Sequence, residues 1–318
     1  MKKTKTLFPP LVFNVFKPAR MSSYDVVRHF KRNLPTGFGK IGHFGTLDPF
    51  ASGVLMIGIA GAARLNDLIH ELMPKTYVAV GKLGIETPTG DYTSEISQTD
   101  NSVYLRDTIG NFSKDFIQDR LREKFLGDYM QAPHKYSAAK FMGKNLHEWA
   151  RQGVEVKKEA VQRHIFDIQV LKYSFPYLSV KVTVSSGTYV RTLFSDMCND
   201  LGTIGSLIAL VRTSVGHVSS QGGLMLKDWP KVRSEDGILK GRPVQEVLRL
   251  PTINLDEKGT TAFRNGAFLK LSELEFESGD RDSEYFWMQA NDSRLLGLAH
   301  KFTEGDLIKP KINFAIDE

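Results

Sequence analysis

The chain has 318 residues, 41% of them hydrophobic and 25% charged, with a formal net charge of +6 and an isoelectric point near 9.2. That length can bury a substantial core and predicts two domains, and the charge favours a polyanionic partner without requiring one. One cysteine, Cys198, excludes an internal disulfide and suits a reducing compartment; its apolar neighbours predict a packing role. No apolar run is long enough to span a bilayer, and the segment 7–16 is broken by Pro9, Pro10 and Asn14 without a small-residue cleavage site. The expected location is the cytoplasm, with no membrane partner.

In chain order, Ser22 with Asp25 three positions on predicts a capping box that opens a short helix, with Val26, Val27 and Phe30 inward and Arg28, Lys31 and Arg32 outward. Residues 77–85 predict a strand apolar on both faces, hence central in a sheet. Ser113 predicts the start of a helix that carries Ile117, Leu121 and Phe125 on one stripe and ends by Gly127. Residues 177–185 alternate Leu178, Val180, Val182 and Val184 against Ser179, Lys181, Thr183 and Ser185, the pattern of a half-buried strand. A turn at Ser186-Gly187 then leads into a helix in which Val190, Leu193, Phe194, Met197 and Leu201 keep helical spacing before Gly202. After about residue 250, a short helical piece near Arg264 and apolar runs at 285–288 and 295–298 predict a small β-rich domain. The cations Lys2, Lys3, Lys5, Lys17, Arg20, Arg28, Lys31, Arg32 and Lys40 gather early, whereas Glu273, Glu275, Glu277, Asp280 and Asp282 make a late stretch acidic. Anion binding is therefore expected in the first domain.

The chemistry concentrates in Gly42-His43-Phe44-Gly45-Thr46-Leu47-Asp48-Pro49. Glycines admit backbone shapes that bulky residues resist, and Pro49 pushes Asp48 out of helical geometry. On residues alone, Asp48 fits either a chemical role or an Asx turn. Arg191 falls in the first turn of the predicted helix, where a cation opposes the helix dipole, so a specific partner or simple solvation are both open. The eight histidines are scattered and no His-Glu-x-x-His or Cys-x-x-Cys spacing occurs, so no metal is expected. Walker and dinucleotide glycine motifs are also missing from the sequence.

The string from Gly42 to Pro49, with Ala51, Gly53-Val54-Leu55 and Arg64-Leu65, resembles the central motif of bacterial TruB-type tRNA pseudouridine-55 synthases. Lys75-x-Tyr77, Gln131-x-Pro133 with Tyr136-Ser137-Ala138, and Ser186-Gly187-Thr188-Tyr189-Val190-Arg191-Thr192-Leu193 resemble further motifs in the same order, so the likeness runs from near Lys17 to about Gly216. It implies an α+β fold with a mixed, largely antiparallel central sheet flanked by helices over residues 1–250. It also implies an RNA-binding insertion at about 128–156, in which Lys135, Lys140, Lys144 and Arg151 form a mobile lid or an ordinary charged loop. Residues 251–318 resemble a PUA-like β domain by position and size, with a non-binding β-barrel cap as the equal alternative.

The resemblance implies isomerisation of uridine to pseudouridine in the T-arm of tRNA, without cofactor, by a monomer that needs no protein partner. Asp48 would be the catalytic carboxylate, starting ionised, and Arg191 the guanidinium that orients it and keeps it charged. Tyr77 would lie under the flipped uracil and Leu210 would line its pocket. His43 would fill the space left by flipped nucleotides, Asp91 would stand near the site, and Lys17 and Arg64, with Arg20, would contact phosphate. The sequence departs from the family pattern at Arg20 (usually glycine), Pro88 (aspartate), His134 (proline) and Val211-Arg212 (two arginines), which bears on RNA docking and its salt dependence. Attack at C1′, attack at C6 and acid–base assistance all remain open as routes. An RNA-binding or tRNA-folding factor is the alternative function, and a guide-RNA-dependent synthase is disfavoured because lysine-rich tails are missing.

Overall fold

The computed structural model describes residues 8–133, 140–145, 148, 149, 152, 154, 156, 159–233, 241–302 and 306–314. The core is a ten-stranded mixed sheet. Its main path runs Arg242–Pro243, Leu11–Lys17, Ser52–Ile59, Gly205–Val215, Lys75–Leu83, Tyr177–Val184, Val161–Ser174 and Gly127–Gln131. Ile41–His43 adds to Ser52–Ile59, and Val218–Ser219 adds to Gly205–Val215. Every pairing is antiparallel except Gly205–Val215 against Ser52–Ile59, where Val211 and Arg212 align with Ser52 and Gly53.

Local chemistry explains the elements. The helix Ser23–Asn33 opens with the predicted box: Ser22 Oγ accepts from the Asp25 amide at 3.1 Å while Asp25 accepts from the Ser22 amide at 3.3 Å. Val26 and Phe30 are buried, whereas Arg28, Lys31 and Arg32 are exposed. The Ser113 hydroxyl caps Lys114–Phe125, and Ile117, Leu121 and Phe125 are buried beneath it. The strand Lys75–Leu83 lies between two partners as expected of a central strand, but it begins at Lys75 and alternates. Lys75, Tyr77, Ala79, Gly81 and Leu83 are buried, while Thr76, Val78, Val80 and Lys82 are half-covered. Helix Val190–Leu201 packs on the buried face and ends at Gly202, whose φ of +92° accepts the left-handed stop. Cys198 is fully buried within this contact.

A second, six-stranded sheet runs Leu269–Lys270, Leu307–Asn313, Leu295–Lys301, Tyr285–Ala290, Thr252–Leu255 and Glu275–Ser278, with helix Glu257–Arg264 against it. Its Tyr285, Trp287, Leu298, Ile312 and Phe314 share an apolar cluster with Val12, Phe44, Val54, Met56 and Leu65 of the first sheet's side. Of the predicted insertion, strands Lys140–Phe141 and Lys144–Asn145 form a hairpin, and Lys144 Nζ stands 5.0 Å from the Trp149 ring centroid. His134, Lys135, Tyr136, Ser137, Ala138, Arg151 and the side chain of Lys140 lie outside the described residues.

A Cβ on Gly81 would stand 2.1 Å from Phe194 Cζ, so the bare glycine lets the helix that carries Arg191 sit directly on the sheet. Gly81→Ala is expected to destabilise the protein by roughly 1–3 kcal/mol through overpacking. Urea denaturation measures this, and an unchanged midpoint would contradict the packing account.

Candidate active site

The loop between Ile41–His43 and Ser52–Ile59 is anchored on both sides of Asp48. Leu47 and Phe50 are buried, the Leu47 amide donates to Ser23 Oγ at 2.9 Å, and Ser23 Oγ donates to the Leu47 carbonyl at 3.1 Å. The Asp48 carbonyl accepts from the Ala51 amide at 3.1 Å, closing a tight turn around Pro49. Gly45 takes a φ of +92°, which only a glycine adopts at little cost.

Across from this loop, Arg191 leaves the first turn of its helix and reaches Asp48, 143 positions away in sequence. Arg191 Nη2 donates to Asp48 Oδ1 at 3.1 Å and Nε lies 2.9 Å from Oδ2, a two-point grip on one carboxylate. Nη1 donates to the Thr89 carbonyl at 2.6 Å and lies 3.6 Å from Asp91 Oδ2. The guanidinium is only 5% exposed, while the Asp48 side chain is 33% exposed, so the pair is held from inside and presents the carboxylate outward. Burial pushes the Asp48 carboxyl above the ordinary aspartate range; Arg191 and Lys17 pull it back, and Asp91 adds to the rise. The resemblance implies an arginine that keeps Asp48 ionised. The pairing is present, but the net displacement is upward because desolvation outweighs it.

Asp91 is 3% exposed and its Oδ1 accepts from the Thr93 amide at 2.9 Å, from Thr89 Oγ1 at 3.1 Å and from the Thr93 hydroxyl. It serves both as a turn aspartate and as the second carboxylate on Arg191. Pro88, where the family usually has aspartate, sits in the same turn, whose polar contacts come from Thr87, Thr89 and Thr93.

Tyr77 is 9% exposed and stands in register with Arg212 on one neighbouring strand and Val182 on the other. Leu210 is buried in the same apolar cluster as Tyr77, Leu47 and Phe50, so both belong to the packing around the Asp48 loop. His43 is half-buried, with an Nδ1 atom that has no hydrogen-bond partner, and burial followed by the charge of Arg212 holds its ring below the usual histidine range. Arg64 is exposed and donates to the Asn313 carbonyl, tying the first sheet to the second.

Lys17 requires a correction. The expectation of a phosphate contact fails, because its side chain is fully buried and its ammonium donates to the carbonyls of Pro18 at 2.9 Å, Met21 at 2.6 Å and Pro49 at 3.4 Å. These carbonyls turn inward around the Asp48 loop and need an internal donor. Burial lowers the Lys17 pKa to about 8 against the raising effect of Asp48. Arg20, where the family usually has glycine, has a φ of +68°, and its amide donates to the Pro49 carbonyl at 2.7 Å. The backbone there keeps the glycine shape although the side chain has changed.

The sequence reading missed Arg212, which it named only within a departure. This side chain is 1% exposed, and it donates from Nε to the Val54 carbonyl at 2.7 Å and from Nη2 to the Gly45 carbonyl at 3.0 Å. It therefore ties together the two ends of the segment that carries Asp48. A charged residue inside an otherwise apolar strand was the available signal. Among the described residues no group of three or more His, Cys, Asp or Glu is arranged to hold a metal ion, and no helix is long and apolar enough to cross a membrane.

Residues 31–190 match the model of the TruB family pseudouridylate synthase N-terminal domain. The chain belongs to the TruB family of pseudouridylate synthases. It is 33% identical to the tRNA pseudouridine synthase B of Clostridium tetani over 92% of this chain and 96% of that one. The tRNA pseudouridine synthase B of Caldanaerobacter subterraneus subsp. tengcongensis is 30% identical over 94% of this chain and 97% of that relative. A solved Cbf5-Nop10-Gar1 complex shares the fold, with a TM-score of 0.70 and 23% identity over 96% of this chain and 85% of that one. An H/ACA RNP bound to a substrate RNA containing 2′-deoxyuridine does so with a TM-score of 0.67, at 22% identity over the same shares. The chain is thus an isomerase of the pseudouridine synthase class, α+β in fold.

The upward displacement of Asp48 has a consequence for stability. The folded protein holds this proton more tightly than the unfolded chain, so the group favours folding at acid pH, and that contribution fades as pH rises through its folded value. Asp48→Asn removes the titration. Its melting temperature is expected to match the wild type near about pH 4 and to exceed it near about pH 7. Calorimetry across that range checks this, and a variant less stable than wild type at neutral pH would contradict it.

Proposed function

We propose that this protein converts uridine 55 in the T-arm loop of tRNA to pseudouridine, as a cytoplasmic monomer without cofactor, with Asp48 as the catalytic carboxylate. The observation that carries the reading is the one-third-exposed Asp48 carboxylate gripped from within by Arg191 in a chain of this family. The curated relatives named tRNA pseudouridine synthase B support tRNA as the substrate.

The reaction breaks the bond from N1 to C1′, turns the uracil and forms a bond from C5 to C1′. N1 gains a proton and C5 loses one, so composition and oxidation state are unchanged and the protein's work is positioning and proton transfer. An ionised Asp48 serves each available route, as nucleophile at C1′ or C6 or as the base that takes the 2′ proton as uracil departs. The target base must leave its stack to reach this carboxylate. Tyr77 provides the aromatic floor for the extruded base, Leu210 the apolar wall, and His43 the filler for the space left in the RNA loop. Arg64 supplies a cation at the exposed rim. Asp91 holds Arg191 from the far side, and Lys17 and Arg212 hold the loop.

Within this reading, residues 1–250 form the catalytic unit and residues 251–318 an accessory β unit, with the hairpin at 140–145 belonging to the insertion that meets RNA.

Unmodified tRNA transcript incubated with the protein and mapped for pseudouridine tests the reading. The wild type is expected to modify one uridine in the T-arm, and Asp48→Asn to lose activity by roughly 10³-fold or more while still binding tRNA. Arg191→Lys retains charge but loses the two-point grip, and is expected to lower turnover by about 10²-fold. Equal tRNA binding by wild type and Asp48→Asn with no modification by either would favour a binding or folding factor instead.

A further inference from the structure

The strand Val161–Ser174 carries a cation, Arg163, that has no hydrogen-bond or ion-pair partner among the described residues. Its Nε is enclosed without an acceptor, whereas the Nη groups of this half-buried residue reach the surface. The carboxylates nearest its strand neighbours are already engaged, Asp196 by the Tyr129 hydroxyl and Asp128 by His164 Nδ1 at 2.9 Å. Lys17, Lys75, Arg191 and Arg212 behave differently, for each donates to carbonyls or carboxylates within the fold.

Arg163 also stands on the face of the sheet that bears the site. It pairs with Tyr129 and lies two positions before Ile165, which pairs with Val184, which in turn pairs with Lys75. Residues opposite one another, or two apart on one strand, share a face, so Arg163 is on the side of Lys75 and Tyr77. Tyr77 and Ile165 pack there in one cluster with Leu47 and Phe50 of the Asp48 loop.

A loop anchored at several points holds the guanidinium in direction. The Ser185 amide donates to the His164 carbonyl at 2.8 Å, and the His164 amide donates to Ser185 Oγ at 2.9 Å. Ser186 Oγ accepts from Lys75 Nζ and lies 3.0 Å from His70 Nδ1. The Gln131 side chain bonds the amide and the carbonyl of Tyr189, at 2.8 and 3.0 Å. Between these anchors Gly187 takes a φ of +78°, and a Cβ there would stand 3.0, 3.1 and 3.2 Å from Arg163 Nη2, Cζ and Nη1. Such near-equal distances lay the guanidinium face against the glycine. With one face covered and Nε enclosed, the two Nη groups form the edge left to meet a ligand.

We propose that Arg163 clamps a phosphodiester of the substrate RNA, its two Nη groups donating to the non-bridging oxygens of a phosphate close to the target uridine. The proposal rests on the tRNA reading above. A planar fork of N–H donors matches two phosphate oxygens. Gly187 lies four positions before Arg191, at most roughly 14 Å of chain, a range that takes in the phosphates of the target nucleotide and its immediate neighbours. Gln131 and Val161 pair in register where the insertion leaves and rejoins the sheet, so Arg163 stands at the root of the segment that meets RNA in that reading.

Binding of a T-arm hairpin to the Asp48→Asn protein over a range of salt concentrations tests this without turnover. Arg163→Met on that background is expected to weaken binding about tenfold and to flatten the slope of log affinity against log salt by about 0.7–0.9, the share of one phosphate. Arg163→Lys keeps the charge and is expected to retain the slope. With Arg163 in place, replacing each phosphate in turn by a neutral methylphosphonate is expected to reveal one position near the target uridine whose loss does not add to that of Arg163→Met. In the active enzyme, Arg163→Met is expected to raise KM about tenfold and to leave kcat within about twofold, as for a contact equal in the ground and transition states. An unchanged salt slope in Arg163→Met, additive losses at every phosphate, or a fall in kcat at constant KM would each overturn the proposal, the last by making Arg163 a support for the loop that leads to Arg191. A wild-type protein that modifies tRNA yet gives these results loses the clamp alone. One that modifies no tRNA loses both readings.

Discussion

The structure depends on a carboxylate and a guanidinium meeting where water is largely excluded. Asp48 and Arg191 come from a loop and a helix on separate strands of the sheet, and each is fixed before they meet: Asp48 by the buried Leu47 and Phe50, Arg191 by a helix pressed onto Gly81. The cost of desolvating Asp48 exceeds what Arg191 returns, as its raised pKa direction indicates. The pair is therefore a poor source of stability and a good way to hold a reactive group in a set direction. The two partners are unequal. Without Asp48, Arg191 still faces Asp91 and the Thr89 carbonyl; without Arg191, two carboxylates stand together with no guanidinium between them. Removing a buried partner of that kind costs roughly 3–5 kcal/mol.

Around that pair the fold spends its buried cations on backbone. Lys17 gathers carbonyls at one side of the Asp48 loop, Arg212 closes its base, and Lys75 caps the carbonyls after helix Asn66–Leu72. Positive charge thereby surrounds the site without ending in ion pairs, and the region stays attractive to an anion. The basic net charge seen in composition acts partly through these internal groups rather than through surface lysines alone.

Much of the scaffold was legible in the sequence because it follows from neighbours. The Ser22–Asp25 box, the alternation in Tyr177–Val184 and the stripe of Val190–Leu201 with its Gly202 stop are local patterns, and the structure contains each. The Asp48–Arg191 contact was legible through family resemblance, since 143 positions separate the two residues and no periodicity links them. The burial of Lys17 was not legible: its carbonyl partners Pro18, Met21 and Pro49 turn toward it only after the loop has folded. Arg212 and Ser186 escaped for the same reason, because their roles are set by strands and loops distant in the chain. The glycine-like backbone at Arg20 is a further case, where the fold imposes a shape that the residue itself resists.

The central claim is that Asp48 is a partly desolvated carboxylate whose ionisation is governed by Arg191. Carbon NMR of the Asp48 carboxyl, titrated in the wild type and in Arg191→Met, measures this directly. The account predicts a wild-type midpoint above that of an ordinary aspartate and a still higher one in the variant. A wild-type midpoint at or below the ordinary value, or one that Arg191→Met leaves in place, would contradict it.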